Sequence, residues 1–232
     1  MSEEIKNSTL YLISTPIGNL EDITLRALKI LGNVDILLCE NTNVTSGLLQ
    51  KYNLSPKKIL SYFEHNELKR IPEVIEFLKN GNSVALVSDA GTPLISDPGF
   101  KLVREVIKNN FEVVSIPGAN AAISALSISG LPTDSFVFEG FLPTKKGRNT
   151  KFEFLKNETR TIIFYESPHR ILKTLNDIKE KFGEREIVVA RELTKKFEEI
   201  LRGNVGEIIS VLQQRQTIKG EFVIVVRGKA KI

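Results

Sequence analysis

Three loops rich in glycine, proline and side-chain oxygen atoms hold the groups in this sequence that could bind a small molecule. They span residues 15–24, 88–99 and 116–122, and each follows or closes a run of apolar and β-branched residues. The carboxyl ends of neighbouring parallel strands meet at one edge of a sheet, where open α/β proteins bind their ligands. We therefore expect one ligand site from the three loops, although each alone is also compatible with an ordinary turn or helix cap.

Several kinds of chemistry are excluded by motifs that the sequence lacks. It contains neither a P-loop nor a G-x-G-x-x-G dinucleotide fingerprint, so no pattern supports binding of a nucleoside triphosphate or a dinucleotide. The nucleophile elbow of serine hydrolases, G-x-S-x-G, is also missing. Two histidines, His65 and His169, and a single cysteine, Cys39, are too few for a zinc site, so no metal is expected.

Two further clusters of reactive side chains occur in the second half of the chain. Residues 164–170 and 190–196 combine aromatic, carboxylate and basic side chains directly after predicted strands. Such groups suit stacking on adenine and contacts to phosphate. The alternative is that these charges at strand ends are simply solvated.

The elements that position these loops alternate between short apolar runs and amphipathic stretches. Strands are predicted at residues 10–15, 34–40, 59–62, 83–88, 112–116, 135–140, 161–165, 187–191 and 221–227. Helices are predicted at residues 23–31, 67–79, 100–109, 119–129, 148–156, 168–182 and 205–213. Strands spaced by helices predict βαβ units and a largely parallel sheet.

Length and composition are those of a folded α/β protein. With 232 residues, 41% hydrophobic and 26% charged, the chain can bury a core without disulfides, which excludes a disordered or disulfide-stapled class. After Pro117 and Gly118 the sequence becomes rich in small residues. This change in composition predicts two α/β domains, residues 1–117 and 118–232. The sequence has no apolar run of membrane-spanning length and an acidic start without a signal-peptide core, so we expect a cytoplasmic protein with no membrane contact.

Charge is divided unevenly along the chain. Residues 1–140 contain 12 Lys and Arg against 16 Asp and Glu, a balance of −4, whereas residues 141–232 contain 20 against 12, a balance of +8. A basic half beside an acidic half is typical of a protein that docks a polyanionic partner on one side. A merely solvated charged surface is the alternative.

Several loops also resemble, in order along the chain, those of one known family. The resemblance lies in residues 10–28, 61–67, 83–99, 129–134, 138–143, 164–170 and 190–195. These segments resemble the ribosomal RNA small-subunit methyltransferase I family, which belongs to the tetrapyrrole-methylase-like class of S-adenosylmethionine (SAM) enzymes. The resemblance covers essentially the whole chain.

The resemblance implies a fold, a reaction and partners. It implies two α/β domains of the tetrapyrrole methylase type with the SAM cleft between them, and a homodimer. It implies a methyltransferase that modifies the ribose 2′-hydroxyl of a cytidine in the decoding region of 16S rRNA, within the small ribosomal subunit. It also implies a set of cofactor-binding residues at matching positions: Pro16, Ser88, Asp89, Thr92, Asn120, Ala121, Tyr165 and Ala190.

No residue pattern identifies the catalytic base. A ribose hydroxyl is weakly acidic, so a base or a nearby cation can assist its attack. Candidates after the predicted strands are Lys195, Glu166 and His169. For RNA binding we expect basic residues of the second half, with a cluster on a loop at its start: Lys145, Lys146, Arg148, Arg170 and Lys195.

One departure from the family pattern keeps two other functions open. The family's usual acidic and basic residues after the second strand are replaced by Asn41 and Asn43. This change favours a non-catalytic RNA-binding or ribosome-assembly protein, which would still have to explain the retained loop at 88–99. The other alternative is a small-molecule (tetrapyrrole) methylase, which predicts an apolar macrocycle pocket and little dependence on RNA.

Overall fold

Five parallel strands form the sheet of the first half of the chain in the computed structural model, which describes residues 5–230. The chain divides between Asn120 and Ala121 into two units, here called the first and second unit. The strands of the first unit are β1 (Thr9–Ile13), β2 (Ile36–Cys39), β3 (Lys58–Ser61), β4 (Val84–Val87) and β5 (Glu112–Ile116). Their order across the sheet is β3-β2-β4-β1-β5.

Helices cover both faces of this sheet. They are α1 (Leu25–Leu31), α2 (Thr42–Lys51), α3 (Glu67–Lys79) and α4 (Phe100–Lys108). Because side chains alternate along a strand, Tyr11 packs with α1 and α2, whereas Leu10 packs with α3 and α4. Burial on both faces explains why β2 and β4 read as unbroken apolar runs.

The second unit has a mixed sheet in the order β6-β7-β10-β8-β9. Its strands are β6 (Phe136–Phe141), β7 (Thr161–Glu166), β8 (Glu186–Arg191), β9 (Glu199–Asn204) and β10 (Phe222–Val226). Its helices are α5 (Ala121–Ser127), α6 (Arg148–Leu155), α7 (Ile171–Phe182) and α8 (Val205–Gln213). Helices α6, α7 and α8 share one buried core with the sheet, and α5 packs against β7 and β10 outside that core.

The two-sheet α/β class is confirmed, but three local expectations are wrong. In the second unit only β6 and β7 are parallel, because β10 pairs antiparallel with both its neighbours. Helix α2 was not predicted because its sequence, rich in threonine, asparagine, serine and glycine, has low helix propensity. Strand β9 was not predicted because it is a half-exposed strand at the sheet edge and lacks an apolar run.

In the part of the chain that the structure describes, no helix is both long and apolar enough to cross a bilayer.

A charged link between β2 and β4 joins these strands at the edge opposite the loops. Asp35, just before β2, accepts hydrogen bonds from the Ser83 amide (2.8 Å), the Ser83 hydroxyl (2.7 Å) and the Lys57 ammonium (2.6 Å). Burial raises the pKa of Asp35, but the bonds from Lys57 and Ser83 outweigh it and lower that pKa to about 2.

We predict that Asp35→Asn destabilises the protein at neutral pH. The ionised carboxylate stabilises the fold above the unfolded pKa of about 4, and this contribution is lost as pH falls towards 2. Allowing for solvent screening of the exposed Lys57, we expect a loss of about 1–2 kcal/mol at pH 7, measured by urea unfolding. The loss should shrink at pH 3, and Glu112→Gln, which removes an exposed ion pair with Lys6, should change stability little. Equal destabilisation by Asp35→Asn at both pH values would contradict this account.

Candidate functional site

A chain of hydrogen bonds connects the three strand-end loops of the first unit. The Ser14 hydroxyl donates to the Thr92 hydroxyl (3.1 Å), which donates in turn to the Ala119 carbonyl (3.0 Å). The backbones of Thr15 and Gly91 exchange two hydrogen bonds of 2.9 and 3.0 Å. The loops after β1, β4 and β5 therefore meet at one edge of the sheet, as the sequence predicts.

Two glycines allow the loops to approach each other closely. A Cβ atom on Gly118 would lie 2.8 Å from the Cβ of Ser14, a distance that real Cβ atoms do not show. Gly91 has a φ of +83°, which side chains with a Cβ rarely adopt. The loops after β1, β4 and β5 can therefore pack against each other more closely than residues with a side chain would allow.

The loop after β4 stores backbone strain. Leu94 and Ser96 are non-glycine residues with φ of +71° and +68°, and both lie within the loop at 88–99. Such conformations cost about 1–3 kcal/mol each and are concentrated at binding and catalytic sites. The surrounding hydrogen bonds hold this loop in a shape that its sequence alone does not favour.

Three carboxyl groups from the ends of β2 and β4 lie near one another. Burial, with the charges of Glu40 and Asp89, raises the pKa of Asp97 to about 6, although a hydrogen bond with Ser88 opposes this shift. Burial and the charge of Asp89 also raise the pKa of Glu40. This edge of the sheet therefore favours a positively charged ligand group, which would relieve the repulsion.

The predicted cofactor-binding residues of the first unit all lie at this edge. Pro16 and Ser88 are buried, and the Ser88 hydroxyl donates to the carbonyls of Ala90 (3.4 Å) and Gly91 (3.3 Å). Asp89 accepts a hydrogen bond from the Asn41 amide (3.0 Å), which connects the end of β2 to the loop after β4. Thr92 lies in the hydrogen-bond chain described above, and Asn120 ends the loop after β5.

The asparagine at position 41 keeps a structural role at the start of α2. Its side chain accepts a hydrogen bond from the Asn43 amide (3.0 Å) and so caps the helix. Asparagine and aspartate are about equally good at this position. The replacement therefore preserves the local fold at the end of β2.

The remaining predicted cofactor-binding residues lie in the second unit. Tyr165 and Ala190 both pair with Val223 of β10, so they share one face of the sheet in the same row. The Ala122 amide donates to the Tyr165 hydroxyl (3.2 Å), which places the start of α5, and with it Ala121, beside β7.

Two of the three candidate bases are engaged in hydrogen bonds and ion pairs within the protein. Glu166 is 1% exposed, and its carboxylate accepts bonds from the Ser167 amide (2.7 Å), the Thr174 hydroxyl (2.6 Å) and Arg170 (2.8 Å). These bonds commit Glu166 to the interior of the second unit.

Lys195, the second of these candidates, is held by two carboxylates. Its ammonium pairs with Glu192 (2.9 Å) and Glu221 (3.0 Å). Burial lowers the pKa of Lys195, but hydrogen bonds and charges from these two carboxylates raise it above its usual value. A lysine that stays protonated cannot accept the proton of a hydroxyl, whereas His169 is exposed just before α7 and stays a candidate.

The predicted RNA-binding cluster divides into exposed and buried members. Lys145 and Lys146 are exposed, as expected, on the loop between β6 and α6. Arg148 was expected on the same surface but is 5% exposed, because its guanidinium bonds Asp177 (2.7 Å), Thr174 (2.8 Å) and the Pro143 carbonyl (3.1 Å).

Of the two other predicted RNA contacts, Lys195 is half-buried and pairs with Glu192 and Glu221. Arg170 is partly committed to the interior. Its guanidinium donates to the Leu142 carbonyl (3.0 Å) and pairs with Glu166, while part of the side chain faces solvent. Arg170 and Arg148 thus bind the backbone carbonyls just before the loop that carries Lys145 and Lys146.

Sequence reasoning does not single out Asp97 or Glu40 as site residues. The signal that could have found them is their place in the connections that leave two buried strands, since Glu40 directly follows β2 and Asp97 lies near the end of the loop after β4. Within residues 5–230 no group of three or more His, Cys, Asp and Glu side chains is arranged to hold a metal ion.

The fold and the site together define a class of methylases. The model of the tetrapyrrole (corrin/porphyrin) methylases matches residues 9–209. Solved structures with the same fold include cobalt precorrin-4 methyltransferase, with a TM-score of 0.69 at 17% identity over 95% of both chains. Another is uroporphyrin-III C-methyltransferase from Thermus thermophilus in complex with S-adenyl homocysteine, with a TM-score of 0.65 at 14% identity over 95% of this chain and 97% of that one. The chain is a member of the tetrapyrrole methylase family.

More similar relatives narrow this assignment. Ribosomal RNA small subunit methyltransferase I of Thermotoga maritima is 50% identical over 95% of this chain and 98% of its own length. The protein of the same name from Halalkalibacterium halodurans is 48% identical over 96% of this chain and 77% of its own length. The chain belongs to the family of ribosomal RNA small subunit methyltransferase I proteins.

We predict that Asp97→Asn stabilises the protein at pH 7.5. Below about pH 4 the carboxyl is protonated in both the folded and unfolded states, so it costs nothing. Above its folded pKa of about 6 it must ionise in an unfavourable place, and its removal should gain about 1–3 kcal/mol in urea unfolding. The gain should vanish at pH 4. A gain that is independent of pH would contradict the raised pKa.

Proposed function

We propose that this protein is a SAM-dependent methyltransferase that modifies the ribose 2′-hydroxyl of a cytidine in the decoding region of 16S rRNA. The observation that carries the proposal is the identity of about one half, over nearly the whole chain, to ribosomal RNA small subunit methyltransferase I. The strained, hydrogen-bonded loop at 88–99 supports a retained ligand site rather than a fold kept only for RNA binding.

The residues of the first unit suit SAM as the cofactor. SAM carries a sulfonium and an ammonium group, and Asp89, Asp97 and Glu40 offer negative charge to such cations. Gly91 and Gly118 allow the loops proposed to bind the cofactor to pack closely against each other. We propose that the cofactor contacts are the eight residues predicted from the resemblance: Pro16, Ser88, Asp89, Thr92, Asn120, Ala121, Tyr165 and Ala190.

Methyl transfer from SAM depends more on alignment of the ribose hydroxyl with the methyl group than on activation of that methyl group. When bound, SAM supplies a methyl group that is already activated for in-line displacement at carbon. What the protein adds is orientation of the ribose hydroxyl and acceptance of its proton. We propose His169 as the proton acceptor, since Glu166 and Lys195 are held by internal bonds.

RNA binding, assembly and location form the rest of the proposal. Lys145, Lys146 and the outer part of Arg170 are proposed to contact phosphates of the small ribosomal subunit. We also propose a homodimer and a cytoplasmic location, both of which the family resemblance implies and light scattering and cell fractionation would test. The function requires no metal in this proposal.

The direct test is mass spectrometry of 16S rRNA nucleosides from cells with and without the gene. A 2′-O-methylcytidine that disappears on deletion and returns with purified protein, SAM and unmodified small subunits would support the proposal. Unchanged nucleosides together with SAM binding would favour a small-molecule substrate. Binding to small subunits without SAM binding would favour an assembly factor.

Asp89→Asn should weaken SAM binding by about 1–3 kcal/mol, the range for losing a hydrogen bond or contact to a charged group. Asparagine keeps an oxygen that can accept the Asn41 amide, so the fold should be preserved and the charge alone removed. Calorimetry with SAM and with S-adenosylhomocysteine separates the two cations, because only SAM carries the sulfonium. Wild-type affinity for both compounds would move the site away from Asp89.

The double variant Lys145→Ala/Lys146→Ala should weaken binding to the small ribosomal subunit and reduce its salt dependence. Counterion release predicts that the slope of log K against log salt flattens by up to about 1.4 for two phosphate contacts to single-stranded RNA. SAM binding should not change. The control Lys69→Ala/Lys79→Ala removes the same charge from α3, and an equal effect of both double variants would mean that only net charge matters.

A further inference from the structure

A β-bulge near the end of β6 turns Phe141 towards the face of the sheet that carries Tyr165. Phe138 lies opposite Ile163 and Phe141 opposite Tyr165, so three residues on β6 span two on β7. Side chains three apart on a regular strand point to opposite faces. Here both phenylalanine rings contact Tyr165, with centroid distances of 5.0 and 5.6 Å.

The bulge contains a glycine with a positive φ and a glutamate that is held by an ion pair. Gly140 has a φ of +59°, and Glu139 beside it forms an ion pair with Lys151. Bulges of this kind re-aim side chains next to binding sites. Its glycine and its ion pair therefore give the bulge a defined conformation at the end of β6.

Phe141 is 54% exposed, and hydrogen bonds hold the backbone that follows it. The two residues that follow it are fixed by arginines, since Arg170 bonds the Leu142 carbonyl and Arg148 bonds the Pro143 carbonyl. An exposed phenylalanine on a fixed backbone, packed at an angle of 63° against Tyr165, keeps an accessible aromatic surface.

The exposed lysines follow this aromatic surface closely in sequence. Lys145 and Lys146 lie four and five residues after Phe141, on the same connection between β6 and α6. Aromatic rings beside basic side chains are the combination that binds single-stranded RNA, with bases on the rings and phosphates on the cations. The positive charge favours a polyanion over a second apolar surface.

We propose that Phe141 is a platform on which an unpaired nucleobase of the RNA substrate stacks, while Lys145 and Lys146 bind the adjoining phosphates. This inference rests on the proposed RNA substrate and adds a base-binding residue to it. Stacking would hold a nucleotide of the substrate out of its own helix, with its base packed on the ring.

The natural absence of tryptophan makes this proposal directly measurable. The chain contains no Trp, so Phe141→Trp introduces a single fluorescent reporter that keeps an aromatic platform. Phe154→Trp is the matched control, because Phe154 on α6 is also an exposed phenylalanine of the second unit, at 75%. The probe is a single-stranded oligoribonucleotide with the sequence around the target cytidine.

We expect the oligoribonucleotide to quench the fluorescence of Phe141→Trp and to leave that of Phe154→Trp unchanged. In parallel, Phe141→Ala should lower kcat/KM for unmodified small subunits about tenfold, within the range measured for loss of one base–aromatic stack. Phe141→Trp should retain most activity, and SAM affinity measured by calorimetry should be the same in all variants.

Three results would overturn the proposal. Quenching of Phe141→Trp by S-adenosylhomocysteine alone would assign the ring to the cofactor site. Spectral changes that follow protein concentration, with matching light scattering, would assign it to contact with a second copy of the chain. No quenching by RNA, although wild-type protein methylates small subunits, would reject stacking and leave the proposed function intact. Quenching by RNA with no methylation by the wild type would reject the proposed function instead.

Discussion

The site of the first unit depends on one hydroxyl group that both donates and accepts. Thr92 receives a hydrogen bond from Ser14 and gives one to the Ala119 carbonyl, and so joins the loops that follow three different strands. A hydroxyl can do both, whereas an aliphatic side chain of the same shape can do neither. The contact works only because Gly118 has no Cβ where it passes Ser14. Sheet order brings these loops to one edge, and this short chain of bonds fixes their positions.

The same edge keeps groups that weaken the folded protein. Asp97 is partly buried near two other acids, and Leu94 and Ser96 adopt left-handed backbone in the loop that contains it. A protein selected for stability alone would not retain such an arrangement, because single substitutions at these positions could raise its stability. A cationic ligand group beside these acids would reduce the repulsion between them.

Much of the framework could be predicted from the sequence because burial on both faces leaves a strong signal. Strands β1, β2 and β4 read as continuous apolar runs, and the loops after them carry the unusual residues. Local composition could not reveal α2, whose cap at Asn41 and tertiary packing outweigh weak propensity. Nor could it show that Arg148 points inward while Lys145 and Lys146 point outward, because a count of charges contains no information about direction. The bulge that turns Phe141 depends on one glycine and on pairing with a distant strand, and neither has a local sequence signature.

The strand order of the first unit has a consequence for folding during synthesis of the chain. β1 is made first, yet its two neighbours in the sheet, β4 and β5, are the last strands of that unit to be synthesised. Its pairing with β5 joins Leu10 to Val113, so the sheet cannot close until most of the first unit has left the ribosome. Contacts so distant in sequence make folding slow and leave apolar strands exposed in the meantime. Until β4 and β5 have been synthesised, β1 therefore lacks both of its neighbours in the sheet.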